Sequence, residues 1–218
     1  MHRLAAVPGR SKSSASPKLA GSKRTRDPVG TRKALVDAAV DLFGRDGFDA
    51  TSVQSIVAQA QVTKGSFYHH FESKVALLFE IHERFIDAHI TKIEEVLASG
   101  LPGDQLLRMA VRDVIVHGGA QFKDEITIFY QELPRLTGEY GKIAMGKRDR
   151  FEHCMIELVE RGVADGSFAG VGEPRVTALA VIGMSAFTFN WIDPELGAHE
   201  AVGDYFSSLL LNGLRPRD

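Results

Sequence analysis

Residues 51–71 read TSVQSIVAQAQVTKGSFYHHF and contain two very short predicted helices joined by a tight turn. Thr51 and Ser52 can cap the first helix, and Val62 and Thr63 begin the second. A helix of two turns is unstable by itself in water, so both helices must pack against longer neighbours. The residues that this packing leaves exposed, at the start of the second helix, are Thr63, Lys64, Gly65, Ser66, Tyr68 and His69.

These exposed residues are of the types that contact a DNA backbone and base edges. Gly65 permits close approach of the protein backbone, Lys64 offers a positive charge to a phosphate, and the Tyr68 hydroxyl can donate a hydrogen bond. Phe67 and Phe71 are instead predicted to lie in the core. The pattern therefore predicts a helix-turn-helix unit whose second short helix contacts DNA.

The rest of the chain after Asp27 also has helical periodicity, which predicts an all-α fold of about nine helices. No stretch alternates apolar and polar residues with β-branched enrichment, as a strand would. The first predicted helix ends at Gly47, and a long one covers residues 73–98. The other predicted helices span residues 53–60, 63–70, 104–118, 121–133, 138–165, 174–192 and 198–213.

The charge is distributed unevenly, although the formal net charge is only −2. Residues 1–26 carry seven basic side chains and no acidic one, with no aromatic residue, so we expect a disordered basic tail. Such a tail could run along DNA phosphates and add salt-dependent affinity. An inert extension and an organellar transit peptide are the alternatives.

The composition is that of a globular protein, with 44% hydrophobic and 25% charged residues, and it excludes a collagen-like or wholly disordered chain. The single cysteine, Cys154, cannot form an internal disulfide, which fits a reducing, cytoplasmic location. The uncharged run Val176–Ile192 has about the minimum length for a membrane span. Its polar residues and acidic flanks favour a buried core or interface helix instead.

Residues 31–74, TRKALVDAAVDLFGRDGFDATSVQSIVAQAQVTKGSFYHHFESK, resemble the helix-turn-helix domain of TetR/AcrR-type transcriptional regulators. The pieces LFGRDGFDATSV and TKGSFYHHFESK both match in spacing and residue type. This chain has Gln61 where the family usually has glycine, and Val57 where it usually has alanine. If Gln61 adopts a positive φ, the strain is about 1–2 kcal/mol.

The resemblance implies a DNA-binding domain over residues 27–90 and a ligand-binding and dimerisation domain over residues 91–218. It implies a homodimer on a palindromic operator in double-stranded DNA, most simply a repressor released by a small apolar ligand. The implied DNA contacts are Ser52, Gln54, Thr63, Lys64, Gly65, Ser66, Tyr68, His69 and Lys74. Helices 138–165 and 174–192 are expected to pair with those of a second copy, because both carry apolar stripes.

The expected effector pocket lies between the helices of the second half. The segments FYQELPRL, KRDRFEHCMIELVERGVADGSF and FNWIDPE are similar to the branch of the family that senses acyl-CoA thioesters. Arg108, Arg112 or Arg148 would then meet phosphates or a carboxylate, unless each is solvated or paired with a neighbouring acid. The candidate ligand-binding residues are Phe85, Met109, Arg112, Phe129, Arg148, Phe151, Met155 and Phe187. Glycines make residues 134–146 the expected yielding segment when ligand tilts helix 73–98.

Two rival functions can be considered. An enzyme is disfavoured because the chain has no HExxH metal motif, phosphate loop, dinucleotide fingerprint or GxSxG elbow, and no cofactor or metal is expected. His82 and His89 do share a helix face, where an adventitious metal ion could bind. The second rival is an interaction module that has lost DNA binding, for example through Gln61.

Overall fold

The computed structural model describes residues 28–169, 171–192 and 198–214, and in these residues it contains helices and no strand. The predicted all-α fold class is confirmed, and the basic tail of residues 1–26 lies outside the described residues. Nine helices are described: α1 Pro28–Asp46, α2 Val53–Gln59, α3 Lys64–His70, α4 Lys74–Ala98, α5 over residues 103–121, α6 Lys123–Glu132, α7 Gly138–Ala164, α8 Pro174–Ala186 and α9 Ala198–Leu214.

Two helix boundaries differ from the predicted ones. Helix α5 continues through a wider π-helical segment, Ala110–Val116, and ends only before Phe122, whose φ of −110° and ψ of 30° break the helix. Helix α8 ends at Ala186, and a 3-10 turn, Phe187–Asn190, follows it. The apolar periodicity of the sequence does not distinguish α-helical, 3-10 and π-helical segments, because a turn of each takes between three and just over four residues.

Side-chain caps define the short helices of the N-terminal part. The Ser52 and Thr63 hydroxyls accept hydrogen bonds from the backbone N–H groups of Ser55 and Ser66, at 3.0 and 3.1 Å. Buried Thr51 donates to the carbonyl of Gly47 at 2.8 Å, which closes the end of α1. These bonds satisfy backbone groups that a two-turn helix leaves without partners.

Two apolar cores succeed one another along α4. Residues of this helix up to Ile90 pack in the first core with α1, α2 and α3, and residues from Ile93 pack in the second core with α5, α7, α8 and α9. The change falls close to the predicted domain boundary at residue 90. Helix α6 nevertheless contributes Ile128 and Phe129 to the first core, so the domain assignment stays a prediction.

The structure corrects part of the predicted dimer interface. The apolar stripe of α7 is not available to a second copy, because Ala144, Met155 and Leu158 are fully buried within their own chain. Helix α7 packs this face chiefly against α4. The sequence pattern marks a buried face but does not say which helix covers it.

Helix α8 has one buried and one exposed apolar face. Ala178, Val181 and Ser185 are buried, whereas Val176 and Leu179 are 60% and 41% exposed. The neighbouring residues Phe187, Trp191, Tyr205 and Leu209 are also exposed large side chains. Across the described part of the chain, no helix combines the length and apolarity that crossing a membrane requires.

The turn between α2 and α3 contains a residue in the left-handed region. Gln61 has a φ of +55°, the conformation expected if it replaces a glycine. The backbone N–H of Val62 donates to the carbonyl of Val57 at 2.9 Å and fixes the turn. The turn therefore forms with glutamine at the cost of strain at its Cβ.

Comparing Gln61→Gly with Gln61→Ala isolates this strain, since both variants lack the glutamine side chain. We expect the glycine variant to be more stable than the alanine variant by about 1 kcal/mol in free energy of unfolding, measured by urea denaturation. Ala60, with a φ of −70°, is the matched control, and Ala60→Gly should lower stability. Equal stability of the two Gln61 variants would contradict the assigned strain.

Candidate nucleic-acid interface and effector pocket

Helix α3 divides cleanly into a buried and an exposed face. Phe67 is completely buried beneath the helix, whereas Lys64, Tyr68 and His69 point outward and are exposed. The ring of Tyr68 meets the ring of Phe67 edge-on at 5.3 Å, which orients the phenol. Among the described residues no carboxylate lies within ion-pair distance of Lys64. Its charge is therefore available to an external anion.

Gly65 has no reason within the chain to be glycine. A Cβ at this position would meet nothing closer than the Thr63 hydroxyl, at 3.7 Å. A glycine inside a helix costs about 1 kcal/mol relative to alanine. The missing side chain therefore leaves room for something outside the chain, which fits close approach of the helix backbone to DNA.

The predicted polar contacts lie around this exposed face. Gln54 and Ser52 are exposed on α2, and Ser52 and Thr63 use their hydroxyls as helix caps. The Ser66 hydroxyl lies 3.0 Å from that of Thr63. These hydroxyls hold the two short helices in position, and their contact with DNA stays a prediction.

Lys74 differs from the other predicted contacts because its ammonium group is bound within the chain. Its Nζ donates to the carbonyls of Phe48 and Thr51, the latter at 2.7 Å, and lies 4.1 Å from the centre of the Phe48 ring. Burial lowers the pKa of this ammonium. Lys74 therefore ties α4 to the loop before α2, and only its remaining proton is available to a phosphate.

Arg32 is a further positioning residue that the sequence analysis missed. Its guanidinium binds both carboxylate oxygens of Glu80, at 3.0 and 2.6 Å, and donates to the carbonyl of His70 at the end of α3. It also lies over the ring of Phe71 at 4.7 Å. No local pattern predicts this contact, because Glu80 is 48 residues away.

A cavity of about 230 Å³ lies between α4, α5, α6, α7 and α8. Four of the eight predicted ligand-binding residues line it: Phe85, Phe129, Arg148 and Phe151. The residues that the sequence analysis missed are Ile86, His89, Ile115, Gly119, Ile126, Tyr130, Met145, Asp149, Glu152, Leu179, Ile182 and Ala186. The apolar members of this list recur at helical spacing, which is equally the signal of an ordinary core. His89, Tyr130, Asp149 and Glu152 carry no local signal that separates a cavity wall from a solvated helix face.

The other four predicted ligand-binding residues do not line this cavity, which corrects the expectation. Met155 is fully buried and Met109 packs on the second core, whereas Phe187 is 64% exposed. Arg112 is paired with Asp113 at 2.6 Å, in a separate charged cleft. A helical stripe does not distinguish a core position from a cavity wall, since both are shielded from water.

Two histidines of α4 lie near the cavity. His89 lines it and donates from Nδ1 to the carbonyl of Phe85 at 2.8 Å, which leaves Nε2 as an acceptor. His82 is fully buried, and neither ring nitrogen has a hydrogen-bond partner among the residues that the structure describes. Its ring stacks on that of Phe129 at 4.3 Å. The described residues hold no group of three side chains that could bind a metal ion.

Burial lowers the pKa of His82 from 6.5 to about 4, and the positive charges of Lys147 and Arg148 act in the same direction. His82 is therefore neutral in the folded protein at pH values at which the unfolded chain takes up a proton. The neutral His82 ring therefore makes its full contribution to the free energy of unfolding above pH 6.5, and this contribution is lost as the pH falls toward 4.

His82→Phe should remove this dependence while keeping an aromatic ring against Phe129. Between pH 7.5 and 5.5 we expect the wild type to lose about 1 kcal/mol more unfolding free energy than the variant. The measurement is urea denaturation at both pH values and one protein concentration. Parallel losses in both proteins would show that His82 does not carry the effect.

Known proteins provide independent comparisons for this arrangement. Residues 35–81 match the family model for bacterial regulatory proteins of the tetR family, and residues 100–214 match that for the tetracyclin repressor-like C-terminal domain. The chain is 28% identical over 202 residues to the HTH-type transcriptional repressor KstR2 of Rhodococcus jostii, which covers 87% of this chain and 94% of that protein.

Solved structures agree with these matches. The TetR-family regulator PfmR of Thermus thermophilus superimposes with a TM-score of 0.75 at 26% identity, over 84% of this chain and 99% of its own. AibR, crystallised with isovaleryl coenzyme A and operator DNA, has the same fold. The TM-score is 0.70 at 22% identity, and the match covers 86% of this chain and 100% of the AibR chain. The chain therefore belongs to the TetR family of bacterial DNA-binding transcriptional regulators.

Proposed function

We propose that this regulator is a repressor that acts as a homodimer on a palindromic operator and is released by a small apolar ligand. The observation that carries the proposal is that one chain has both an exposed α3 and a cavity with apolar walls. Helix α3 holds Gly65 and also Lys64, with which no carboxylate of the described residues pairs. Relatives described as transcriptional repressors support repression over activation. In a bacterium such a regulator acts in the cytoplasm.

The second copy binds at the exposed apolar face of α8 and α9. This face combines Val176, Phe187, Tyr205 and Leu209, and the Gly183 position on α8 has no atom within 4 Å of where a Cβ would lie. A two-fold axis through this face places two copies of α3 in successive major grooves. The operator then has two inverted half-sites.

The ligand is an acyl-CoA or a related apolar metabolite. The cavity offers an apolar interior with few polar groups, as ligand sites commonly do. AibR, which was crystallised with isovaleryl coenzyme A, has the same fold. Both the aromatic lining and this relative favour a ligand with an apolar body.

Residues between α6 and the middle of α7 connect the cavity to α3. The Tyr140 hydroxyl donates to Glu72, just after α3, at 2.7 Å, and its ring stacks on Phe79 of α4 at 4.7 Å. Met145 and Arg148 line the cavity on the same helix. Ligand that displaces this part of α7 acts on α3 through the bond between Tyr140 and Glu72, and tilts α4.

This mechanism requires that the ligand bind more tightly to the DNA-free state than to the DNA-bound one. Glycines weaken the start of α7, since Gly138 has a φ of +59° and Gly141 packs directly on the carbonyl of Leu136. Arg135, in the same segment, contacts Asp49 at 2.6 Å and so reaches the loop before α2. The segment also contributes Leu136 and Ala144 to the first core, so its displacement would change the packing around α4.

Lys64→Ala tests DNA binding directly. Operator sequences are first selected from genomic fragments, and affinity is then measured by fluorescence anisotropy at several salt concentrations. Two phosphate contacts are lost per dimer, so we expect the slope of log K against log salt to fall by about 2, without a change in preferred sequence.

Lys92→Ala, which removes an exposed lysine from the far part of α4, is the matched control and should leave the slope unchanged. If the wild type selects no sequence at moderate salt, the chain is an interaction module and the proposal is wrong. Equal slopes in all three proteins would remove Lys64 from the interface.

Tyr140→Phe and Glu72→Gln test the link between α7 and α3. If their hydrogen bond positions α3, the two single variants should change operator affinity in the same direction by about fivefold, the value of one charged hydrogen bond at a half-exposed site. The double variant should change it no further. Additive effects would mean that the two residues act independently.

A further inference from the structure

Arg148 is a cation in the cavity wall that forms no ion pair with any residue that the structure describes. The other arginines near it are paired: Arg150 with Glu94 at 2.6 Å, and Arg175 with Glu152 at 2.8 Å. In the described part of the chain, no carboxylate oxygen lies within 4 Å of the Arg148 guanidinium. Among the described residues, Arg148 is therefore a positive charge in the cavity wall without an ion pair.

A carboxylate at a suitable spacing for an ion pair with Arg148 is present in the sequence. Glu152 follows Arg148 by four residues on α7, the spacing at which a helix brings opposite charges together. Its carboxylate binds Arg175 of α8 instead. The pairing of Glu152 with Arg175 thus joins α7 to α8 at the cavity and leaves Arg148 free.

Two aromatic rings hold the guanidinium in place. Its central carbon lies 5.9 Å from the centre of the Phe129 ring and 6.0 Å from that of Tyr130. Contact with aromatic rings stabilises a cation without using its N–H donors. The donors of Arg148 remain available for the paired hydrogen bonds that a guanidinium makes to a carboxylate or phosphate.

The remaining walls of the cavity determine the rest of the ligand. Phe85, Ile115, Ile126, Phe151 and Ile182 contribute apolar side chains. The wall also contains the carboxylates of Asp149 and Glu152, of which Glu152 is paired with Arg175. A small ion without an apolar body would leave the apolar walls in contact with water. A purely apolar ligand would bury the Arg148 guanidinium without a hydrogen-bond partner, which costs free energy. The two features together select a molecule with an apolar body and one anionic group.

We propose that Arg148 binds the anionic group of the effector, which is an amphipathic anion with a carboxylate or a phosphate on an apolar chain. This inference rests on the proposed function, because it assigns the polar end of the ligand that the cavity takes. A carboxylate would come from a free acid, and a phosphate from the coenzyme A part of its thioester.

The experiment measures binding of matched ligands to the full chain without DNA, by isothermal titration calorimetry. Three head groups, free acid, coenzyme A thioester and neutral alcohol, are compared on straight chains of four to twelve carbons. We expect the acid or the thioester to bind at least about tenfold more tightly than the alcohol of the same length, because a charge-assisted hydrogen bond is added. Tight binding of the acid identifies a carboxylate, and binding of the thioester alone identifies a phosphate.

Arg148→Gln should reduce the preference for the anion to about twofold or less, with alcohol binding unchanged. Arg150→Gln is the matched control on the same helix, since Arg150 does not line the cavity, and it should keep the full preference. The inference is overturned if no anion binds, if the alcohol binds as well as the anions, or if Arg148→Gln keeps the preference.

Melting temperatures of both variants, measured without ligand, establish that each is folded. Operator affinity is measured separately with the same ligands. Anion binding through Arg148 that leaves operator affinity unchanged would refute ligand-released repression but not the assignment of Arg148.

Discussion

The packing of α2 and α3 against α1 and α4 is the constraint on which the rest of the structure depends. Each short helix has seven residues and could not persist in water alone. Ile56 and Phe67 are fully buried between the longer helices, and the Ser52 and Thr63 caps complete the backbone hydrogen bonding. The exposed face of α3 is therefore positioned by its own buried face.

Helix α4 connects the packed short helices α2 and α3 to the cavity, because its residues belong to both cores. Its Glu80 is bound by Arg32 of α1, which also donates to the carbonyl of His70 at the end of α3. Its Phe85 and His89 line the cavity. Salt bridges of Lys147 with Glu83 and Asp87 attach α7 to the same helix. Two sets of contacts thus connect the cavity walls to the region of α3, one through α4 and one through Tyr140 on α7.

Half of the predicted ligand-binding residues line the cavity, and these four are a quarter of its sixteen lining residues. The reason that the rest could not be predicted is geometric. Phe85, Phe129, Arg148 and Phe151 line the cavity, but Met155, on the same stripe of α7 as Phe151, is in the core. Whether an apolar side chain borders empty space depends on the angle between helices that are distant in sequence. The pairing of Glu152 with Arg175, which leaves Arg148 unpaired, depends on the same geometry.

The sequence by itself determined the all-α fold class, the short helix pair at residues 51–71 and its exposed face. These features are set by local periodicity, caps and backbone sterics, all of which act over a few residues. Only the tertiary structure decided that Lys74 binds backbone carbonyls, that α7 is covered by α4 and that α8 keeps an exposed face. These contacts join helices that are tens of residues apart in the sequence. Chains with the same local pattern could pack the same helices against different neighbours.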